Sequence, residues 1–205
     1  TATLGMKGTA ADFNANFEDD VFGSDAAELD VALDAAGSKT TADTLTVNVG
    51  GDDVVKTLSV NAVAGKSYVV LDEAAGADTS LTTLNFSGAG SVNIGESASN
   101  EFDAVTTIDA SENSGGVSVD FSGANTEDVT VTGGTGDDTF AFGAGLDSND
   151  TIDGGEGTDL IVSSDATLTA GTDATIKGAN AATNIEEFGT SAGSDISLNS
   201  SKFTG

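Results

Sequence analysis

The 205-residue sequence has no cysteine, no histidine, no arginine, no proline and no tryptophan. The lack of cysteine means no disulfide framework and no thiol chemistry. Positive charge is scarce as well: six lysines stand against 34 acids, for a formal charge of −28. That balance argues against nucleic acid or anionic membrane as partners. It also destabilises a compact state through self-repulsion and makes divalent cations natural counterions. No apolar run approaches the ~18–20 residues of a membrane span, so direct membrane insertion is not expected. Aromatics are few, ten Phe and one Tyr, which leaves most of the packing to small β-branched residues. With no proline, loop conformation relies on glycine and asparagine. The sequence starts at Thr1 without a visible signal peptide and is expected to be a fragment or processed piece.

What is present is alternation. Leu45-Thr46-Val47-Asn48-Val49, Thr57 to Val63 and Tyr68 to Leu71 each place apolar residues at every second position, as half-buried strands do. Residues 25–36 alternate at Leu29, Val31 and Leu33, which favours a strand, while their alanines leave a short helix open. Gly50-Gly51-Asp52-Asp53 reads as a turn. Asp12 to Asn16 imitates the start of an EF-hand loop, but Phe17 and Gly23 occupy the positions that need Gly and a bidentate Glu.

From residue 81 to 162, strand-like pieces centre near 84, 93, 107, 119, 130, 141, 152 and 161. Two strands then make one coil, and a repeat of that length predicts a solenoid in which each coil buries its apolar face on its neighbours. In that register Leu84, Ile108, Val131 and Ile152 stack in one parallel sheet, and Val92, Val119, Phe140 and Leu160 in the other. The loops at 87–91, 110–116, 133–138 and 154–159 pile up along one edge. The acid-bearing turns of the opposite edge, 122–128 and 143–150, read as solvated turns, with ion binding at a subunit contact as the alternative. After Ser163 the pattern loosens, and Ile185, Phe188, Ile196 and Leu198 suggest further coils or a cap.

Within this frame two stretches fill the pattern G-G-x-G-x-D-x-U-x, where U is large and apolar: Gly133 to Ala141 and Gly154 to Val162. Glycines turn backbone carbonyls inward at low steric cost. The closing aspartate adds a carboxylate, and calcium accepts about six to eight such oxygens at ~2.3–2.6 Å. The plain alternative is a pair of glycine-rich turns with surface aspartates.

The two nonapeptides resemble the calcium-binding repeats of RTX proteins, the type-I-secreted extracellular proteins of Gram-negative bacteria. Asp150-Thr151-Ile152-Asp153, Asn184-Ile185-Glu186-Glu187-Phe188 and the Thr/Ala/Val/Gly/Asn/Asp-rich run from Thr40 to Ser122 resemble bacterial surface-layer proteins carrying such repeats. RTX arrays usually repeat every nine residues, whereas these copies lie twenty-one apart, which points to a few sites rather than a long ladder.

The resulting expectation is an all-β chain: a right-handed parallel β-solenoid or β-roll, with two strands per coil and calcium-binding Gly/Asp loops along one edge. Residues 1–40 form a lead-in or capping segment, 41–80 a β-rich region, 81–162 the coils ending in the nonapeptides, and 163–205 further coils or a cap. The Ca²⁺ site is expected between the last two loops, with Asp138 and Asp159 supplying carboxylates and Gly134, Gly136, Gly155 and Gly157 supplying carbonyls. Asp153 is an extra candidate ligand, and Asp109 with Asn113 a candidate second site.

Three function classes follow. The first is a calcium-dependent structural module of a secreted surface layer or extracellular assembly, its partners being copies of itself and, as the resemblance implies, cell-surface polysaccharide. The second is an RTX-type adhesin repeat binding carbohydrate or ice, weakened by a single tyrosine and by threonines that recur at no fixed spacing. The third and weakest is a polysaccharide-active enzyme. Chance pairs of carboxylates are available, but histidine, arginine, cysteine and a nucleophile-elbow serine are missing.

Overall fold

The computed structural model describes residues 2–8, 13–16, 27–38, 42–48, 55–73, 81–96, 102–121, 127–163 and 181–190. Every paired strand in it is parallel, and the chain alternates between two sheets. The first sheet is built from β1 (Ala2–Lys7), β3 (Ala27–Asp34), β5 (Val55–Ala64) and β7 (Thr83–Gly88). It continues through β9 (Thr107–Asn113), β11 (Thr130–Thr132) and β13 (Thr151–Asp153). The second sheet takes β2 (Phe13–Asn16), β4 (Asp43–Asn48), β6 (Lys66–Glu73) and β8 (Ser91–Glu96). It goes on with β10 (Val117–Asp120), β12 (Thr139–Gly143), β14 (Leu160–Ser163) and β15 (Glu187–Thr190). Spatial order follows chain order in both sheets, seven strands in one and eight in the other. This is a parallel β-solenoid with two strands per coil, as the alternation predicts. Residues 25–36 supply a strand, β3, rather than a helix.

The core lies between the two sheets. Leu29, Leu58, Leu84, Ile108, Val131 and Ile152 pair coil to coil and are all buried. Opposite them runs Val69, Ile94, Val119, Phe140, Ile161 and Phe188, of which all but Phe188 are buried. Phe121 and Phe142 close an edge-to-face contact with centroids 4.6 Å apart. The described apolar residues thus form one continuous core cluster.

The first expected stack is found as read, and two members of the second are not. Val92 pairs with Val117, and Val119 pairs with Ile94. Phe140 lies against Ile161, while Leu160 pairs with Thr139 and is half-buried. Coil length is the cause. Neighbouring coils repeat after 26, 25 or 21 residues at different heights. Leu160 is off by one residue, which turns it to the other face, whereas Val92 is off by two and stays buried on the core face. Uneven coils also hide a regular feature. Thr57, Thr83, Thr107, Thr130 and Thr151 stand in one register row on the first sheet, although their sequence spacing is irregular.

Residues 1–40 contribute β1 and β3 to the first sheet and β2 to the second, so both sheets already run through that segment. The turn at 50–53 and the apolar residues Ile196 and Leu198 lie outside the described residues.

The register makes a direct prediction. Ile161→Ala removes a buried side chain and costs about 2–5 kcal/mol of unfolding free energy, while Leu160→Ala costs less than half as much. Urea unfolding of the two variants measures this, and the reverse order contradicts the register.

Candidate metal centre

The loops along one edge stack backbone on backbone. Gly90 N donates to Ala62 O at 2.8 Å, Thr135 N to Asn113 O at 3.0 Å, Glu156 N to Gly134 O at 2.9 Å and Gly154 N to Thr183 O at 2.9 Å. Contact this close leaves no room for side chains. A β-carbon on Gly133 would stand 1.8 Å from Gly154 O, and one on Gly155, whose φ is +91°, would stand 2.2 Å from Gly134 O. The glycines of the nonapeptides are therefore required by stacking itself, whatever the loops bind.

Their aspartates close the stack. Asp138 is 1% exposed and accepts from Val117 N with Oδ1 and from Gly134 N with Oδ2, both at 2.7 Å. Asp159, fully buried, accepts from Asp138 N with Oδ1 at 2.8 Å. Glu186 repeats the move one coil on, accepting from Asp159 N at 2.9 Å. Each carboxylate thus caps a backbone N–H of the preceding coil, a charge-assisted bond stronger than an amide–amide one.

One oxygen breaks the pattern. Asp159 Oδ2 is buried and, among the described residues, has no hydrogen-bond partner. The reason is a local difference between the two loops. In the first, Gly134 N points to its own loop aspartate; in the second, Gly155 N donates to Asp153 Oδ1 at 3.2 Å instead. The freed oxygen crowds the same side of Gly154 as the Asn184 carbonyl, the two standing 2.6 and 2.0 Å from where a β-carbon would be. Asn184 takes a left-handed φ of 52°, a conformation asparagine tolerates better than most residues, and its Nδ2 donates to Asp153 Oδ1 at 2.7 Å.

Burial pushes the carboxyl groups of Asp138, Asp150 and Asp159 upward from the usual carboxylate value. For Asp138 it outweighs the lowering by the Gly134 and Val117 N–H groups. For Asp159 burial comes first, the nearby charges of Asp138, Glu186 and Asp137 add to it, and the group rises to about 6. An unpaired buried carboxylate is costly. A proton or a cation relieves that cost, and only oxygen donors are at hand, which suits a hard ion.

The expected ligands are therefore distributed differently from the sequence reading. Asp138 and Asp159 do sit in adjacent loops, but both oxygens of Asp138 are engaged by backbone N–H groups, so the two carboxylates do not share an open gap. The open oxygen faces the following coil, at Asn184. The Gly134 and Gly136 carbonyls stand against Gly155 and Gly157 of the next loop, and Gly134 O also accepts from Glu156 N. Asp153 is tied to Asn184 and Gly155.

Asp109 and Asn113 are not brought together. Asp109 is exposed and bonds Ser111 through its N and Oγ at 3.0 and 2.6 Å. Asn113 is buried with both ends of its amide used: Nδ2 donates to Ser87 O and Gly90 O, and Oδ1 accepts from Gly115 N and Gly116 N. That amide pins the loops together as a neutral plug. Among the described residues no three acidic side chains converge to hold a metal, so an ion at Asp159 depends on backbone carbonyls.

The sequence reading missed Asn184 and Glu186 as members of the site, and it missed Asp150. The last is buried on the opposite edge, accepting from Val129 N and Asp147 N at 2.9 and 2.7 Å, rather than solvated. The readable signal is an acid 21 residues after a backbone N–H it caps, seen at 117/138, 129/150 and 138/159. Compared with known proteins, the chain matches no family model, no curated protein and no solved structure.

A pH dependence follows. Because the folded value of Asp159 is raised to about 6, the folded state holds the proton more tightly than the unfolded one. The stabilisation is complete below the ordinary carboxylate value and is lost as pH rises through the folded one. In metal-free buffer the native chain is therefore more stable near pH 5 than near pH 7.5. Asp159→Asn shrinks that difference, whereas Asp109→Asn leaves it intact; urea midpoints at the two pH values test this.

Proposed function

We propose that the chain is a calcium-ordered structural module of a secreted bacterial surface layer or similar extracellular assembly. The observation that carries the reading is the buried, unpartnered Oδ2 of Asp159 beside the Asn184 carbonyl, at the end of a stack of glycine loops. Asp159 and the Asn184 carbonyl hold the ion, and Glu186 adds negative charge next to it. When bound, Ca²⁺ supplies positive charge that neutralises the buried carboxylate and ties the Thr183–Glu186 segment to the loop before it.

The formal charge of −28 favours the same partner. Self-repulsion opposes the folded chain, and a divalent ion that binds the folded form and not the unfolded one stabilises it by mass action. At a concentration a hundredfold above its dissociation constant, one such ion contributes about 2.7 kcal/mol. In low-calcium cytosol the chain stays loosely folded, and outside the cell calcium orders it; this export route rests on the resemblance to RTX proteins. A solenoid stacks by nearest-neighbour contacts, so an ion at Asp159 acts first on the neighbouring coil that carries Asn184 and Glu186.

The expected result of a calcium titration is a gain of β-sheet circular dichroism and a raised melting temperature, with light scattering reporting assembly. Asp159→Asn folds at least as well as the native chain in chelator at neutral pH, since it removes an unpaired buried charge, but gains little from calcium. A native chain whose melting temperature is the same in excess chelator and in millimolar calcium overturns the proposal.

A further inference from the structure

The outer face of the second sheet carries one residue per coil in a single row: Tyr68, Asn93, Ser118 and Thr139. Their neighbours Val69, Ile94, Val119 and Phe140 are buried, so the row faces outward. It floors a groove of about 340 Å³ flanked by Gly115 and Gly116, with Lys66 at the β6 end and Asp137 at the β12 end. That volume lies within the range of small-molecule sites, roughly 300–1,000 Å³. Four strands side by side make the row roughly 14 Å long, running along the solenoid axis.

The chemistry of the floor is specific. It holds the sole tyrosine of the chain, an amide and two hydroxyls. Asn93 Nδ2 donates to Ser118 Oγ at 2.8 Å, which fixes the direction of both groups. Lys66 Nζ stands 5.5 Å from the Tyr68 ring centroid, a cation–π distance that orders the ring. Asp137 Oδ1 accepts from Thr158 N at 2.9 Å, so part of its carboxylate is tied to the next coil. The floor between Lys66 and Asp137 carries no charged side chain. Donors, acceptors and one flat amphipathic ring in line suit a hydroxyl-rich chain, and the net charge repels polyanions.

We propose that this groove binds a neutral, linear oligosaccharide laid across successive coils, its hydroxyls meeting Asn93, Ser118 and Thr139 and one sugar face resting on Tyr68. The test is a heteronuclear NMR titration of the full chain, in calcium, with cellotriose, maltotriose and chitotriose, and with trigalacturonate as the acidic counterpart. The expected result is saturable shifts at Tyr68, Asn93, Ser118 and Thr139 with at least one neutral trisaccharide. Tyr68→Ala and Asn93→Ala, each checked for a native spectrum, weaken binding at least tenfold, while Asn85→Ala on the opposite sheet binds as the native chain does. Absence of shifts at millimolar concentrations of all four sugars, shifts centred on another face, or tighter binding of trigalacturonate than of every neutral sugar overturns the proposal.

Discussion

Direct contact between the backbones of successive loops is the constraint on which the molecule depends. At the 133–138 and 154–159 loops, carbonyl oxygens press against glycine α-carbons with no space for a methyl group. Such packing demands glycine, and it leaves backbone N–H groups that must find acceptors. The chain supplies them from the following coil, through Asp138, Asp159 and Glu186. Glycine and aspartate thus belong to one device: the first permits the approach, and the second satisfies the donors it strands.

That device makes the acidity both an asset and a burden. Capping carboxylates are strong acceptors, yet burial raises their proton affinity and adds to a repulsion already large for 205 residues. Asn113 shows the neutral solution, an amide that bonds its own loop to the one before it without any charge. Asp159 shows the opposite case, a charged group with one oxygen left over. Because solenoid coils interact chiefly with their neighbours, a proton or ion at that oxygen acts first on the coil next to it.

Much of the fold was legible in the sequence. Leu84, Ile108, Val131 and Ile152 alternate cleanly and were enough to set the register of the first sheet. The second sheet was harder, because Val92 shares the buried face with the true stack member Ile94 and Leu160 adjoins the true member Ile161, and only the coil lengths decide between them. The threonine row at 57, 83, 107, 130 and 151 was hidden for the same reason. The site was legible in its parts and not in its wiring. The nonapeptides mark Asp138 and Asp159 as a pair, but the two residues differ through which acceptor the second glycine of each loop chooses, Asp138 for Gly134 and Asp153 for Gly155. That choice depends on three-dimensional detail at Asp153 and Asn184, which no motif records.

The central claim is that Asp138 serves the stack while Asp159 serves an ion. Anomalous diffraction from crystals grown in calcium addresses it most directly. The predicted result is a calcium peak coordinated by Asp159 Oδ2 and the Asn184 carbonyl beside Gly154, with Asp138 still accepting from Val117 and Gly134. A calcium-replete crystal with no ion at Asp159, or with the ion bound instead by Asp138 released from those two N–H groups, contradicts the account.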